Sequence, residues 1–238
     1  EDFIGNVSHE LRTPISVIRA NAETILHGNF IDDPKALLFT EAILSQSENM
    51  SNTVSELLKL SSIEAGEFDL NMNSHNLHSL IDNFLKKHIY QANLKQITFD
   101  IRVSKDVEVL VDTSAFDIIL SNFISNALKH SPAKSSVIIK NDLSDDFNSR
   151  LSIIDFGKGI PKKYRHRVFE RFFRVDRGRA KQSGGTGLGL AISKHLARLM
   201  GYEIGMTPNK PYGCEFWIDM NYVLNKEEVL LNSELNPA

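Results

Sequence analysis

The chain has 238 residues, long for one compact domain and comfortable for two, and its 42% hydrophobic and 24% charged residues are an ordinary globular mixture. A net charge of −3 argues against a dedicated nucleic-acid binder, and the single cysteine, Cys214, rules out an internal disulfide framework or a thiolate metal cage. No apolar stretch is long enough to span a bilayer and no signal peptide opens the chain, and one lone cysteine suits a reducing, cytoplasmic setting.

From Glu1 to about Gly66 the chain reads as two long helices. Ile4, Val7, Leu11, Ile15, Ile18, Ala22 and Ile25 recur at steps of three and four, one apolar stripe of a helix. Gly28-Asn29 and then Asp32-Asp33-Pro34 supply a stop and a new start. In the second helix Ala36, Ile43, Met50 and Leu57 stand seven apart, with Phe39, Val54 and Leu60 between them. One such hairpin leaves an apolar face wet. Two hairpins pairing into a dimeric four-helix bundle is the expected solution, with packing against the rest of the chain as the alternative.

Residues 67–221 mix both periods. Helices are predicted at Leu77–Leu85, 113–130 and 187–200, and strands at Ile97–Val103, Val107–Val111, Ser136–Lys140, Leu151–Asp155, Glu203–Met206 and Cys214–Met220. The pattern is an α/β sandwich. Residues 222–238 form a C-terminal tail in which Glu227-Glu-Val-Leu-Leu is either a short helix or disordered.

On the first helix, Asn6-Val-Ser-His-Glu-Leu-Arg-Thr-Pro14 places His9 two residues from Val7 and from Leu11. At about 100° per residue, His9 is expected to face water, opposite the stripe, with Thr13 one turn on at i+4. Pro14 removes a bond to the Glu10 carbonyl and is expected to bend the helix beside His9. A zinc HExxH site is excluded, since Thr13 stands where the second histidine belongs. An ordinary surface histidine is the plain alternative. His75 and His78 are read as surface residues.

Three further constellations suggest one phosphate site. Asn122 and Asn126 share a face of helix 113–130, continued by Lys129 and His130, and an amide oxygen is a hard ligand suited to Mg²⁺. Ile153-Ile-Asp-Phe-Gly-Lys-Gly159 ends a strand with an aspartate and close glycines, a place where Asp155 can accept from an exocyclic amine. Gly184-Gly-Thr-Gly-Leu-Gly-Leu-Ala191 opens a helix whose N-terminal amides suit an anion, without being a Walker or Rossmann loop. Before it, residues 164–181 hold seven Arg or Lys, read as a mobile cationic lid over a triphosphate. Solvated asparagines, a plain turn and a solvated basic run are the bland readings of each piece.

Their order is what carries weight. His9-Glu-Leu-Arg-Thr-Pro resembles the H box of histidine kinases. Asn122-Phe-Ile-Ser-Asn-Ala-Leu-Lys-His130 is similar to their N box, Asp155-Phe-Gly-Lys-Gly to the first G box, Phe169-Glu-Arg-Phe-Phe to the F box, and Gly185-Thr-Gly-Leu-Gly to the second G box. The resemblance implies a dimerisation and phosphotransfer hairpin over 1–66 and a GHKL-type ATP-binding α/β sandwich over 67–221. It implies ATP and Mg²⁺, with Asn126 as the metal ligand and Asn122 as its phosphate-side companion. Lys129, His130, Ile160, Phe169, Arg174, Thr186 and Leu188 would line the nucleotide, and Asp155 would hold the adenine amine. Gly157, Gly159, Gly185, Gly187 and Gly189 would shape the pocket and lid. It further implies a homodimer, a response-regulator receiver domain as partner, and any membrane anchor in a segment upstream of Glu1.

Two positions depart from the family pattern. Phe156 stands where asparagine is common, and alternation along the strand leaves Asp155 unaffected. Gly213-Cys214 replaces a frequent Gly-Thr, exchanging a hydroxyl near Asp155 for a weaker thiol. The implied chemistry is attack of a neutral His9 nitrogen on phosphorus, with Glu10 as general base and Thr13 orienting water for dephosphorylation of the regulator. A chaperone- or topoisomerase-type ATPase and a silent nucleotide-binding scaffold are the rivals, against which the filled H box counts.

Overall fold

The computed structural model describes residues 2–28, 34–143, 148–175 and 185–224. Helix α1 (Asp2–His27) and helix α2 (Pro34–Glu64) form the hairpin, with Pro34 heading α2, where a missing N–H costs nothing. The inward side of α1 is Val7, Leu11, Pro14, Ile18, Asn21 and Ile25, steps of four and three that keep one seam turned toward α2. This corrects the predicted stripe: Ile15 is half exposed and Ala22 is exposed, while Pro14 is buried. The helix runs through Pro14 without interruption. On α2, Val54 also lies outside the seam, and Leu37, Leu44 and Leu58 stand exposed at intervals of seven and fourteen residues. The hairpin therefore carries two apolar sides, one used internally.

Past the hairpin come β1 (Asn73–Asn76), α3 (Leu77–Lys86), α4 (Ile89–Leu94), β2 (Thr98–Arg102), β3 (Val107–Val111), α5 (Thr113–His130), β4 (Ser136–Leu143) and β5 (Asn148–Ile154). A 3-10 turn (Lys162–Arg167), α6 (Gly189–Leu199), β6 (Glu203–Pro208) and β7 (Cys214–Leu224) complete the described chain. The sheet runs β1-β3-β7-β5-β4-β2, with β6 on the β3 side of β7. Every pair is antiparallel except β2 with β4. The predicted helices and strands are present, α5 and β3 with the predicted ends and the others with shifted ends, and the reading missed β1, α4 and the 3-10 turn, all short and without a clean period. Strand β7 also runs three residues beyond the predicted domain end at 221, because Tyr222, Val223 and Leu224 pair with β3. Residues 225–238, which hold the rest of the predicted tail, lie outside the described residues.

Helices α3, α5 and α6 cover one sheet face with Leu77, Ile81, Phe116, Phe123, Ile192 and Leu196 over Val109, Val137, Ile153 and Ile218. Asp112 starts α5 as N-cap, accepting from Ala115 N at 2.8 Å, and its second oxygen accepts from Asn71 N at 2.8 Å. Such a cap is worth about 1 kcal/mol, and here it also pins the linker that leaves the hairpin. Leu60 and Ile63 at the end of α2 join this same core, so the hairpin is packed onto the α/β part. Among the described residues no helix is long and apolar enough to cross a membrane.

Candidate nucleotide and phosphoacceptor site

Helix α5 presents its asparagine face because its other side is fully taken by the core: Phe116, Ile119, Leu120, Phe123 and Ala127 are buried. Asn122, Asn126 and Lys129 are left half-buried along the edge facing α6. The Asn122 amide donates to the Gly189 carbonyl at 2.8 Å and to Ser193 Oγ at 2.9 Å. A Cβ on Gly189 would fall 2.4 Å from Asn122 Oδ1 and would push that amide off its two partners, so the missing side chain keeps room for the Asn122 contacts. Ser193, fully buried on α6, is a functional neighbour the sequence reading missed; its only signal is its place one turn after Gly189.

The glycine turn ahead of α6 meets two more segments. Gly187 O accepts from Phe172 N at 2.9 Å, and the Lys129 ammonium lies 3.1 Å from the Cβ position of Gly185. Thr186 Oγ accepts from Leu188 N at 3.1 Å, and Leu188 is fully buried. The Lys129 ammonium is pushed below the ordinary lysine range, by burial first and then by the Arg174 and Lys95 charges. Cations crowded so closely repel one another, and an anion between them relieves that repulsion. Lys95 is itself held at the carboxyl end of α5, donating to the Leu128 and Lys129 carbonyls at 2.7 and 3.0 Å. His130 sits on the rim and is also held below the ordinary histidine range, by desolvation first and then by the Lys129 and Lys95 charges.

Opposite lies Asp155, buried at the end of β5 while Phe156 turns outward, as alternation predicts. Its Oδ1 accepts from Gly157 N at 2.8 Å and from Cys214 N at 3.3 Å. Neither bond uses the Cys214 side chain, so the thiol-for-hydroxyl exchange leaves this support of Asp155 intact. Burial raises the Asp155 carboxyl above the usual range despite those two N–H groups. A carboxylate in that state gains from any donor that reaches it. The Cys214 thiol is pushed up to about 12 by burial and by the Asp155 charge. Gly159 approaches Gly213, Ile160 packs on the core and accepts from Arg165 at 2.9 Å, and Gly157 lies against the His130 carbonyl.

The basic segment differs from the expected lid. Its first half is anchored: Phe172 and Val168 are buried, Phe169 sits edge-on to Phe216 at 6.3 Å, and Arg167 pairs with Glu170 at 2.9 Å. Aromatic burial outweighs the pull of its charges toward water. Arg174 is half-buried beside Lys129, and the remaining lid residues, 176–181, lie outside the described residues.

On the hairpin, His9 lies in α1, and its side chain is outside the description, so its expected exposure is untouched. Glu10 and Thr13 are half-buried. Val7, two residues from His9, packs against the core that Leu60 and Ile63 share with the α/β part. Chemically, the second part can hold a base-like donor at Asp155 and a polyanion between Lys129, Arg174 and the glycine turn.

Residues 1–66 match the family described as His Kinase A (phospho-acceptor) domain, and residues 111–223 match Histidine kinase-, DNA gyrase B-, and HSP90-like ATPase. The chain is 35% identical over 197 residues to the sensor-like histidine kinase SenX3 of Mycolicibacterium smegmatis, covering 82% of this chain and 50% of that protein. It is 34% identical over 233 residues to the sensor histidine kinase WalK of Bacillus subtilis, covering 95% and 37%. The chain thus spans half or less of the length of these relatives. In fold it is similar to the histidine kinase ThkA, crystallised in complex with the response regulator protein TrrA, with a TM-score of 0.76 and 21% identity over 93% of this chain and 61% of that one.

Proposed function

This chain belongs to the sensor histidine kinases, and we propose that it moves the γ-phosphoryl group of ATP onto His9 and from there onto an aspartate of a response-regulator receiver domain. The observation that carries the reading is convergence. Segments around residues 122, 155, 172 and 187, far apart in sequence, meet through Asn122–Gly189, Phe172–Gly187, Lys129–Gly185 and the close approach of Gly157 to the His130 carbonyl. They meet in the same chain as a phosphoacceptor-type hairpin.

In this reading Asp155 accepts from the adenine amine, and Lys129 and Arg174 gather the phosphates with the glycine turn. Asn126 offers its amide oxygen one turn from Asn122, whose own amide is held by α6, so the donor set fits a hard cation that keeps waters and phosphate oxygens. Bound there, Mg²⁺ supplies neutralisation of phosphate charge. A lone pair of the His9 ring forms the new N–P bond as the bridging O–P bond breaks and ADP leaves. Glu10 accepts the proton from the other ring nitrogen. In onward transfer the N–P bond breaks as a carboxylate oxygen takes the phosphoryl group. Thr13, one turn from His9, orients water for the reverse dephosphorylation of the regulator, so Thr13→Ala should slow that step while autophosphorylation continues. Matching decay rates of phospho-regulator with wild type and Thr13→Ala would leave Thr13 without this role.

A second copy of the chain fits the outward apolar side of the hairpin, where Ile15, Leu26, Leu37, Leu44 and Leu58 stand exposed. The test of the main reading is incubation with γ-labelled Mg-ATP. An acid-labile, base-stable phosphoprotein is expected, lost in His9→Gln while nucleotide binding persists. Undiminished labelling of His9→Gln refutes it.

A further inference from the structure

The hairpin does more than carry His9. Along the last third of α2, Glu56, Leu60, Ile63 and Glu64 face the α/β part: Leu60 and Ile63 are buried in its core, and a carboxylate stands at either end of this apolar ridge. Glu56 accepts a hydrogen bond from Thr186, in the glycine turn that opens α6. Glu64 accepts from Arg171 and lies 3.3 Å from His195 Nε2 on α6. The two carboxylates are about 12 Å apart at the helical rise of 1.5 Å per residue. Glu64 is the last residue of α2, next to the linker into the second part; Glu56 is at the far end of the ridge.

We propose that Glu56 and Glu64 are positioning residues for phosphotransfer, a two-point clasp that docks the nucleotide domain on the phosphoacceptor hairpin and opens at Glu56 when nucleotide enters. The inference rests on the nucleotide reading given above. The turn that Glu56 holds is the one that Lys129 approaches and whose amides suit phosphate, so a carboxylate and a polyanion compete for one small region. Like charges this close cannot both be favoured there. Burial already lifts the Glu56 carboxyl above the ordinary glutamate range, against the Thr186 bond and the Lys59 charge, so its ionised form has little solvation to spare. By linkage, docking at Glu56 weakens nucleotide binding, and nucleotide weakens docking by the same factor. The Glu64 contacts touch Arg171 and His195 rather than the glycine turn, so they persist as the pivot. Val7, two residues from His9, packs against the same core that Leu60 and Ile63 enter, so the hairpin segment that bears His9 and the clasp share one packed region.

The test uses the full chain at pH 8 and a non-hydrolysable ATP analogue with Mg²⁺. Glu56→Gln keeps an acceptor for Thr186 but removes the charge. It should bind the analogue about tenfold more tightly than wild type, whereas Glu48→Gln, exposed on α2 away from the ridge, should match wild type. Spin labels at Asn52→Cys and Lys194→Cys, both exposed sites, should move apart in the otherwise wild-type chain when the analogue is added. Equal or weaker binding by Glu56→Gln, or an unchanged label distance on saturation, overturns the clasp while leaving the nucleotide reading standing. Failure of wild type to bind the analogue at all would sink both.

Discussion

Replacing Gly213 with alanine should disable the Asp155 end of the pocket. Gly213 has φ +111, and a Cβ there would lie 1.9 Å from the Asp155 carbonyl oxygen, 2.7 Å from its carbon and 3.0 Å from Phe156 Cα. All three are backbone atoms, so no side chain can swing aside, and the strands must separate by more than an ångström. That separation removes Asp155 N to Cys214 O, now 2.8 Å, and Cys214 N to Asp155 Oδ1, now 3.3 Å. The backbone conformation costs about 1–3 kcal/mol for a residue with a Cβ, and two lost hydrogen bonds add about 1 kcal/mol each. A total near 4 kcal/mol should lower the melting temperature by roughly 10 °C for a domain of this size. Gly201 supplies the control: its φ is +80, but nothing lies within 4 Å of its Cβ position, so Gly201→Ala carries strain without collision and should cost about 1 kcal/mol. Thermal melts and calorimetric ADP titration read both effects. Misplacing Asp155 forfeits a charged hydrogen bond of about 1.5–3 kcal/mol, roughly 10- to 100-fold in affinity. If Gly213→Ala melts like Gly201→Ala and binds ADP like wild type, the close strand approach is not what holds Asp155.

Asp155→Asn tests the raised carboxyl from the other direction. An acid whose folded pKa is raised holds its proton more tightly when folded, so its ionised form costs stability above that pKa and the cost fades as pH falls through it. Without nucleotide, Asp155→Asn should therefore melt higher than wild type at pH 7 and lose that advantage toward pH 4, while ADP affinity drops; a variant less stable at pH 7 contradicts the assignment. The Cys214 thiol, pushed up to about 12, should resist iodoacetamide at pH 8 in the native protein and react once unfolded, and rapid native labelling would show that the end of β7 opens. Leu44→Glu puts a charge on the outward side of the hairpin, away from the internal seam, and should shift sedimentation from dimer to monomer without lowering the melt of the α/β part. A variant that sediments like wild type would place the second copy elsewhere.

Much of the molecule was legible because its signals are local. Helix α5 was bounded correctly at both ends, since its buried face repeats cleanly and Asp112 caps it. The N box, both glycine turns and the F box were found as motifs. The clean stripe of α1 was not: Ile15 is as apolar as Ile18, and only the partner helix decides that Pro14 faces inward and Ile15 outward. Leu60 likewise fits the hairpin pattern by spacing but is buried in the core of the second part.

Sequence by itself determined the helical hairpin, the α/β part after it and the order of the longer elements, and it supplied the candidate nucleotide residues, because periodicity, capping and glycine placement act between residues a few positions apart. Tertiary structure alone decided which groups touch. Asn122 spends its amide on Gly189 and Ser193, sixty-seven and seventy-one residues away, and Asp155 is supported by backbone N–H groups whose donors have no side-chain signature. The carboxylates of α2 meet Thr186 and Arg171 more than a hundred residues downstream. No local rule encodes such pairs: any polar residue on an exposed helix face reads as solvated until packing brings its partner within 3 Å or so.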